Sequence, residues 1–185
     1  MNDTSALNTV QLGITDIKIS PVGIGTWAWG DRVMWGYQSD GFDDSDLREA
    51  FDVALNHHID LFDTAEVYGL GRSEELLGRF IAESGQRPRV ATKVAPFPWR
   101  WHRKALVRAL RASLKRLGLD SVDLYQIHWP VPLMPIDTLM NGMADAVEAG
   151  LTRGVGVSNF DARQMERAHK VLNKRGLSLA SNQVH

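Results

Sequence analysis

The chain has 185 residues, 44% of them hydrophobic and 23% charged, which suits one globular domain with a buried core and is not the composition of a disordered chain. Its 21 Lys and Arg residues nearly balance 22 Asp and Glu residues, so the formal net charge of -1 indicates no general attraction to nucleic acid or to an anionic membrane. The chain has no cysteine, which excludes disulfides and thiol chemistry.

The N-terminal segment lacks the basic and apolar regions of a secretory signal, and no stretch approaches the roughly 20 apolar residues that a membrane-spanning helix needs. We therefore expect a cytoplasmic protein whose partner is a small molecule rather than a membrane or a nucleic acid. No spacing of side chains is typical of a metal site, and no feature indicates a particular oligomeric state.

Hydrophobic periodicity divides the chain into short strands and longer helices. Residues 10–20 alternate around Gly13 and Asp16 as a small hairpin does, and residues 22–26 have the pattern of a first buried strand. Apolar residues at spacings of three and four then predict helices over 44–57, 73–83, 103–117, 137–149 and 161–175. Short apolar strands are predicted between these helices.

Each predicted strand after the hairpin ends in a polar residue. The six strand ends are Thr26, Asp63, Lys93, His128, Ser158 and Gln183. Successive ends are 25 to 37 residues apart, which is the length of a strand and a returning helix. This α/β repeat fits an open doubly wound sheet or a TIM (β/α)8 barrel, of which the chain would supply the hairpin and about the first six βα strands. We favour the barrel, because an open sheet concentrates its ligand residues at one switch point.

Four titratable side chains are predicted to share the mouth of this barrel: Asp63, Tyr68, Lys93 and His128. The carboxyl ends of barrel strands face one opening, so residues up to 65 positions apart can meet there. A neighbouring ammonium would lower the pKa of the Tyr68 phenol, and a carboxylate at Asp63 would keep Lys93 charged. An imidazole at position 128 could then hold the oxygen of a carbonyl substrate against the phenol.

A proton donor aimed at a carbonyl, with no Ser or Cys nucleophile nearby, needs a hydride to attack the carbon. Nicotinamide supplies hydride, and its carboxamide must be gripped by hydrogen-bonding groups. Ser158, Asn159 and Gln183 are such groups at the fifth and sixth strand ends. Ser158 and Asn159 have an alternative role as the N-cap of the next helix.

The chain resembles the aldo-keto reductases, of the bacterial and plastid type, over essentially its whole length. The motifs that carry the resemblance are Gly25-Thr26-Trp27, the run from Phe62 to Gly69, Ala91-Thr92-Lys93, the stretch from Ser113 through Asp123 to Pro130, the run from Gly154 to Asn159, and Asn182-Gln183-Val184. The resemblance implies a (β/α)8 barrel in which NADPH reduces an aldehyde or ketone. Tyr68 would be the general acid, tuned by Lys93 and Asp63. His128 would orient the carbonyl.

The same resemblance implies which residues meet the cofactor. Ser158, Asn159 and Gln183 would hold the nicotinamide carboxamide. Thr26 and Trp27 would lie near the nicotinamide and ribose, and Asp63 would belong to the cofactor site as well as to the catalytic group.

By this resemblance, residues 1–185 are a single domain that lacks the last part of the barrel at its C-terminus. The absent part would carry the groups that bind the cofactor phosphates, so the choice between NADPH and NADH stays open. We expect weak or absent NADPH binding by the 185-residue chain, and self-association through open sheet edges.

All six tryptophans fall in predicted strand-to-helix loops: Trp27, Trp29, Trp35, Trp99, Trp101 and Trp129. If these loops share the barrel mouth, the indoles predict a bulky apolar or aromatic carbonyl substrate. The alternative is that the indoles only pack on the barrel.

A basic segment follows the third predicted strand of the barrel. It contains Arg100, His102, Arg103 and Lys104. Positive charge in the first turn of a helix opposes the helix dipole, so this segment could meet an anionic group of the substrate.

Other functions are compatible with the same residues. A regulatory subunit of the same fold could bind the cofactor without turnover, and the chain could also be an inactive fragment. A Schiff-base lyase could use Lys93 as its nucleophile.

Overall fold

A computed structural model describes residues 9–39, 41–100, 102–131 and 134–184. The predicted hairpin is present as two antiparallel strands, β1 (Val10–Gln11) and β2 (Lys18–Ile19). Between them, Gly13 has φ +57°, and a Cβ at this position would lie 2.5 Å from the carbonyl oxygen of Ala180. Only glycine permits so close an approach, so the hairpin turn packs directly onto the last strand of the main sheet.

Six parallel strands form the main sheet, and their order in space is their order in the sequence. The strands are β3 (Gly23–Gly25), β4 (Leu61–Asp63), β5 (Arg89–Val94), β6 (Val122–Ile127), β7 (Thr152–Ser158) and β8 (Leu179–Gln183). This unbroken order is that of a partial TIM barrel, as predicted. It excludes the doubly wound alternative, in which the strand order reverses at a switch point.

A helix follows each of the first five strands of this sheet. The helices are α1 (Asp44–Asn56), α2 (Arg72–Ser84), α3 (Arg103–Leu117), α4 (Ile136–Glu148) and α5 (Ala162–Asn173). The predicted bounds agree within two residues, because apolar spacing and caps are local signals. Asp43 and Asp161 form capping boxes that satisfy free N–H groups at the starts of α1 and α5. Within the described ranges, no helix is both long and apolar enough to cross a membrane.

The core lies between the helices and the sheet. Phe62 of β4 packs against Phe51 of α1 with 5.0 Å between ring centroids, and Phe80 of α2 lies 5.9 Å from Phe51. Removing such an aromatic side chain from water stabilises the fold by about 1.5–3 kcal/mol. Trp29 belongs to the same cluster, 5.7 Å from Phe80 and 4% exposed. For Trp29 the packing alternative holds, because its apolar ring is buried in the core and does not line the mouth.

Candidate active site

Lys93 lies near the end of β5, and its ammonium is almost completely enclosed. The residue is 1% exposed, and its Nζ donates to Oδ2 of Asp63 at 2.7 Å, to the carbonyl oxygen of Thr64 at 3.0 Å and to Oη of Tyr68 at 3.3 Å. An ammonium has three N–H donors, so these bonds use all of them. Burial lowers the pKa of Lys93, and the charge of Asp63 opposes that shift. A fully bonded ammonium is a poor nucleophile, so this geometry disfavours the Schiff-base alternative.

Tyr68 begins a short 3-10 turn that leads from the end of β4 into α2. Residues 69–71 all have positive φ angles, of 53°, 56° and 94°. A Cβ on Gly69 would lie 2.9 Å from the carbonyl oxygen of Gly30, so glycine is required at this position. The phenol ring lies 5.0 Å from Nζ of Lys93. The tight turn thus places the phenol beside the ammonium.

The phenol of Tyr68 is a weaker acid in the structure than in water. Burial and then the charge of Asp63 raise the pKa of Tyr68 to about 12. The prediction of a lowered pKa is therefore wrong: burial disfavours the phenolate and the Asp63 carboxylate repels it, although Lys93 lies within hydrogen-bonding distance. Tyr68 is consequently protonated at neutral pH, which is the form that a proton donor needs.

His128 follows β6 and meets Tyr68 edge-on, with 5.5 Å between the ring centroids. Burial, assisted by the charge of Lys93, lowers the pKa of His128 to about 4, so the imidazole is neutral at pH 7. The ring of Trp129 packs 4.5 Å from it. The Nδ1 atom is buried, and no group in the described part of the chain forms a hydrogen bond with it. A neutral imidazole carries one N–H, which His128 can donate to a molecule bound at this site.

These side chains line one cavity of about 480 Å³. Its lining residues are Trp27, Asp63, Val67, Tyr68, Lys93, His128, Ser158, Asn159, Gln183 and Val184. The sequence predicts eight of these ten residues. Val67 and Val184 are additions, since an apolar residue in a loop carries no chemical signal of its own.

Thr26 lies behind this cavity rather than in its wall. The residue is fully buried; its hydroxyl bonds the carbonyl oxygen of Asp63 at 3.1 Å and shares a hydrogen bond of 2.7 Å with Oγ of Ser73. Ser73 also shares a hydrogen bond of 2.9 Å with Oγ1 of Thr64. The Thr26 hydroxyl is thus satisfied inside the protein, and the place of Thr26 near the nicotinamide and ribose stays a prediction. This network ties the ends of β3 and β4 to the start of α2.

Ser158, Asn159 and Gln183 lie together at the ends of β7 and β8. The backbone N–H of Asn159 donates to the carbonyl oxygen of Gln183 at 2.8 Å, and Nδ2 of Asn159 donates to Oγ of Ser158 at 3.1 Å. Nε2 of Gln183 donates to Oδ2 of Asp63 at 3.0 Å, which links this group to the ion pair. Asp161 caps α5, so the N-cap alternative for Ser158 and Asn159 is wrong.

The lining chemistry fits a nicotinamide. The hydroxyl and amide groups of Ser158, Asn159 and Gln183 can donate to and accept from a carboxamide. Trp27 adds an aromatic wall, with its ring 6.4 Å from that of Tyr68. Among the lining residues that the structure describes, Lys93 is the single cation and is already paired, so this lining offers no separate group for a 2′-phosphate.

The indoles divide between the mouth and other surroundings. Trp27 lines the cavity. The ring of Trp35 packs edge-on against the ring of Trp27, with 5.6 Å between the ring centroids. Trp99 stacks on Phe97 at 4.7 Å outside the cavity lining, and Trp101 lies outside the described residues. The aromatic mouth is therefore smaller than the sequence predicts.

The basic segment after β5 is paired inside the protein at two of its four residues. Arg100 forms an ion pair with Glu66, and Arg103 forms one with Asp145. These two guanidinium groups therefore have partners within the chain, and the contact of this segment with an anionic group of the substrate stays a prediction. The sequence analysis does not assign a role to the buried carboxylate of Glu66, although an acidic residue two positions before Tyr68 is a signal that could have identified it.

The parallel sheet and the four neighbouring groups at its strand ends define the class: a partial α/β barrel with an acid-base site at the carboxyl ends of its strands. The profile of the Aldo/keto reductase family matches residues 21–185. The chain belongs to the aldo/keto reductase family, whose members are oxidoreductases that generally use a nicotinamide cofactor.

Named relatives agree with this assignment. The chain is 44% identical over 182 residues to pyridoxal reductase, chloroplastic, of Arabidopsis thaliana, covering 91% of this chain and 49% of that protein. It is 43% identical over 161 residues to the aldo-keto reductase YhdN of Bacillus subtilis, covering 82% of this chain and 47% of that protein. The structure is similar to a crystal structure of the thermostable aldo-keto reductase Tm1743 with the inhibitor epalrestat. The TM-score is 0.78 at 36% identity, and the match covers 95% of this chain and 61% of that chain. The chain spans about half the length of the curated relatives it matches.

Proposed function

We propose that the protein reduces aldehydes or ketones with NADPH and that Tyr68 is its proton donor. One observation carries the proposal: Oη of Tyr68 lies 3.3 Å from Nζ of Lys93, which lies 2.7 Å from Asp63, in a cavity that His128 also lines. A buried lysine is costly unless it is paired, so its presence beside a phenol in a cavity favours a chemical role.

The residues divide the chemistry of carbonyl reduction among them. Tyr68 donates its phenolic proton to the carbonyl oxygen as that oxygen gains negative charge. Lys93, bonded to the same Oη, stabilises the phenolate that remains, and Asp63 keeps the ammonium charged. Neutral His128 donates an N–H to the carbonyl oxygen and orients it. A bound nicotinamide supplies the hydride for the carbonyl carbon.

We assign the cofactor contacts to the other polar residues of the cavity. Ser158, Asn159 and Gln183 hold the carboxamide, and Trp27 lies at the nicotinamide and ribose. Asp63, bonded to both Lys93 and Gln183, joins the cofactor contacts to the proton donor. We propose NADPH as the cofactor, and not NADH, because NADP dependence is typical of the family.

For the substrate, we propose a bulky apolar or aromatic carbonyl compound. Trp27, Val67 and Val184 supply apolar walls around the polar centre. Pyridoxal is one aromatic aldehyde to test, since the Arabidopsis relative is named for it. Comparable turnover of pyridoxal, another aromatic aldehyde and a short polar aldehyde would contradict this preference.

Replacing the phenol tests the central role. Tyr68→Phe should lower kcat/KM for NADPH-dependent aldehyde reduction by roughly a hundredfold to ten thousandfold, because the proton donor is lost. NADPH oxidation is followed by absorbance at high NADPH concentration, because the 185-residue chain is expected to bind NADPH weakly. The NADPH affinity measured by fluorescence titration should be the same in the variant as in the wild type. Tyr37→Phe is the matched control, since its hydroxyl bonds Asp44 outside the catalytic cavity. A Tyr68→Phe variant of near wild-type activity would overturn the proposal.

A cofactor-binding regulatory subunit is the alternative function. The four groups Asp63, Tyr68, Lys93 and His128 all line the cavity, which supports an enzyme, since binding alone does not need a buried proton donor. Tight NADPH binding without turnover of any aldehyde or ketone in the panel would favour the alternative.

A further inference from the structure

One carboxylate ties the loop after β5 to the loop after β4. Oε1 of Glu66 accepts the backbone N–H of Ala95 at 2.7 Å and also accepts from the Arg100 guanidinium. The backbone N–H of Glu66 donates to the carbonyl oxygen of Lys93 at 3.2 Å. Glu66 is thus joined to β5 and its loop through both its backbone and its side chain.

These contacts lie close to the two groups that would move the proton. Glu66 precedes Tyr68 by two residues, and Ala95 follows Lys93 by two residues. The phenol and the ammonium sit on separate segments of the chain, so their separation of 3.3 Å depends on how these segments are joined. A rigid joint at Glu66 would hold that separation.

Arg100 is itself held from several sides. Its NH1 group also donates to the carbonyl oxygen of Ala95 at 3.0 Å, and its Cζ lies 5.3 Å from the ring centroid of Phe97. The ring of Trp99 stacks on the same Phe97 ring, with 4.7 Å between centroids and an interplanar angle of 11°. The side chains of Glu66 and Arg100 are 8% and 20% exposed, so water competes little for the pair.

Stability alone is a weak reason for such a pair. Both charges lose water on burial, and apolar residues of similar size often serve stability as well or better. We propose that Glu66 and Arg100 are positioning residues, which clamp the segment of Tyr68 to the segment of Lys93 and so hold the proton donor at its working distance from the ammonium. This inference rests on the proposed carbonyl reduction and adds two residues to it.

The test uses Glu66→Gln, Arg100→Met and the double variant. Each single variant leaves one partner without its counter-charge and can fail to fold, whereas the double variant removes both charges together. The double variant should keep the wild-type unfolding midpoint. Its kcat should fall on the order of tenfold to a hundredfold, with KM for the aldehyde changed less. The solvent deuterium isotope effect on kcat should increase, because proton transfer becomes slower.

A second readout does not need turnover. Tyrosine labelled with ¹³C at Cζ gives three NMR signals, from Tyr37, Tyr68 and Tyr125. In the double variant the Tyr68 signal should shift or broaden, while the Tyr37 signal serves as the internal reference. The matched control is Asp137→Asn with Arg167→Met, which removes a carboxylate–guanidinium pair with two hydrogen bonds of 2.6 Å on the helix surface.

The possible outcomes separate this inference from the proposed function. An unchanged Tyr68 signal, or an active wild type whose double variant keeps its kcat, would overturn the clamp. A double variant that loses activity only in proportion to its folded fraction would do the same. A wild type without NADPH-dependent reduction would count against the proposed function, and the Tyr68 signal would still decide whether the clamp positions the phenol.

Discussion

Tyr68 is the residue at which burial and a neighbouring charge act together most directly. Its phenol lies within hydrogen-bonding distance of an ammonium, yet its pKa is raised to about 12, because burial disfavours the phenolate and the charge of Asp63 adds to that effect. Since the protonated phenol is the active form, carbonyl reduction would lose this donor only as the pH rises toward that pKa. The residue is therefore well suited to hold a proton across the neutral range.

Removing the ammonium should slow proton delivery. In Lys93→Met, the Asp63 carboxylate stays beside Tyr68 without a counter-charge, so the phenolate left after proton transfer is less stable. We expect kcat to fall on the order of a hundredfold, measured by NADPH oxidation with an aromatic aldehyde. Lys115→Met, at an exposed position of α3, is the control. A Lys93→Met variant within a factor of about three of the wild type would argue against this role.

His128 should make stability depend on pH. Its pKa is lowered to about 4 in the folded protein from its ordinary value of 6.5, so the unfolded chain binds the proton more readily between these values. The free energy of unfolding should therefore decrease as the pH falls from 6.5 to 4, by at most roughly 3 kcal/mol from this group.

Urea unfolding of the wild type and of His128→Gln at several pH values measures the contribution of His128. The difference in the free energy of unfolding between the two proteins should be constant above pH 6.5 and should change between pH 6.5 and pH 4. His57→Gln, at an exposed position, is the control. Parallel pH profiles for the wild type and His128→Gln would contradict the prediction.

Among the elements, α2 and α3 approach each other at a glycine. A Cβ on Gly78 of α2 would lie 2.4 Å from the carbonyl oxygen of Leu117 at the end of α3. A real Cβ cannot come so close to a backbone atom, so the two helices pack at this distance only because position 78 has no side chain. α2 begins four residues after Tyr68, so this contact also supports the segment that carries the phenol.

Gly78→Ala should push these helices apart. We expect it to lower the free energy of unfolding by about 1–3 kcal/mol, even though alanine is the better helix former, because the added methyl group meets backbone atoms. Chemical denaturation measures this change. Gly25→Ala is the control, since a Cβ there would have no atom within 4 Å. A Gly78→Ala protein as stable as the wild type would show that α2 can move at no cost.

At the scale of the whole molecule, the central strands of the sheet are more buried and pair with more neighbours than the strands at its two edges. β6 pairs with both β5 and β7, and almost every residue of β5 and β6 is buried. Within the described residues, β3 pairs with β4 alone and β8 with β7 alone. Stability against local opening should therefore be greatest at β5 to β7.

Native-state hydrogen exchange checks this order. Amides of β5, β6 and β7 should exchange about tenfold or more slowly than those of β3 and β8, because edge strands open without disturbing the core. The exchange rates of the α5 amides serve as an internal comparison, because α5 is buried on one face only. Equal protection of β3 and β6 would mean that the sheet opens only as one unit.

The sequence by itself determined the helices, the strand order and the types of residue at the strand ends. Apolar spacing, capping residues such as Asp161 and glycines after helices act over a few neighbouring residues, so the bounds could be predicted without knowledge of the rest of the molecule. The motifs around Asp63, Lys93 and His128 likewise indicated the family, which the family profile confirms.

Only the tertiary structure decided what each side chain contacts and how strongly water is excluded from it. It buried Trp29 in the core, engaged the hydroxyl of Thr26 with Ser73, and joined Glu66 to Arg100. It also reversed the expected direction of the Tyr68 pKa. These properties depend on distances between residues remote in the sequence and on burial by many neighbours, and neither is encoded in a local pattern of residues.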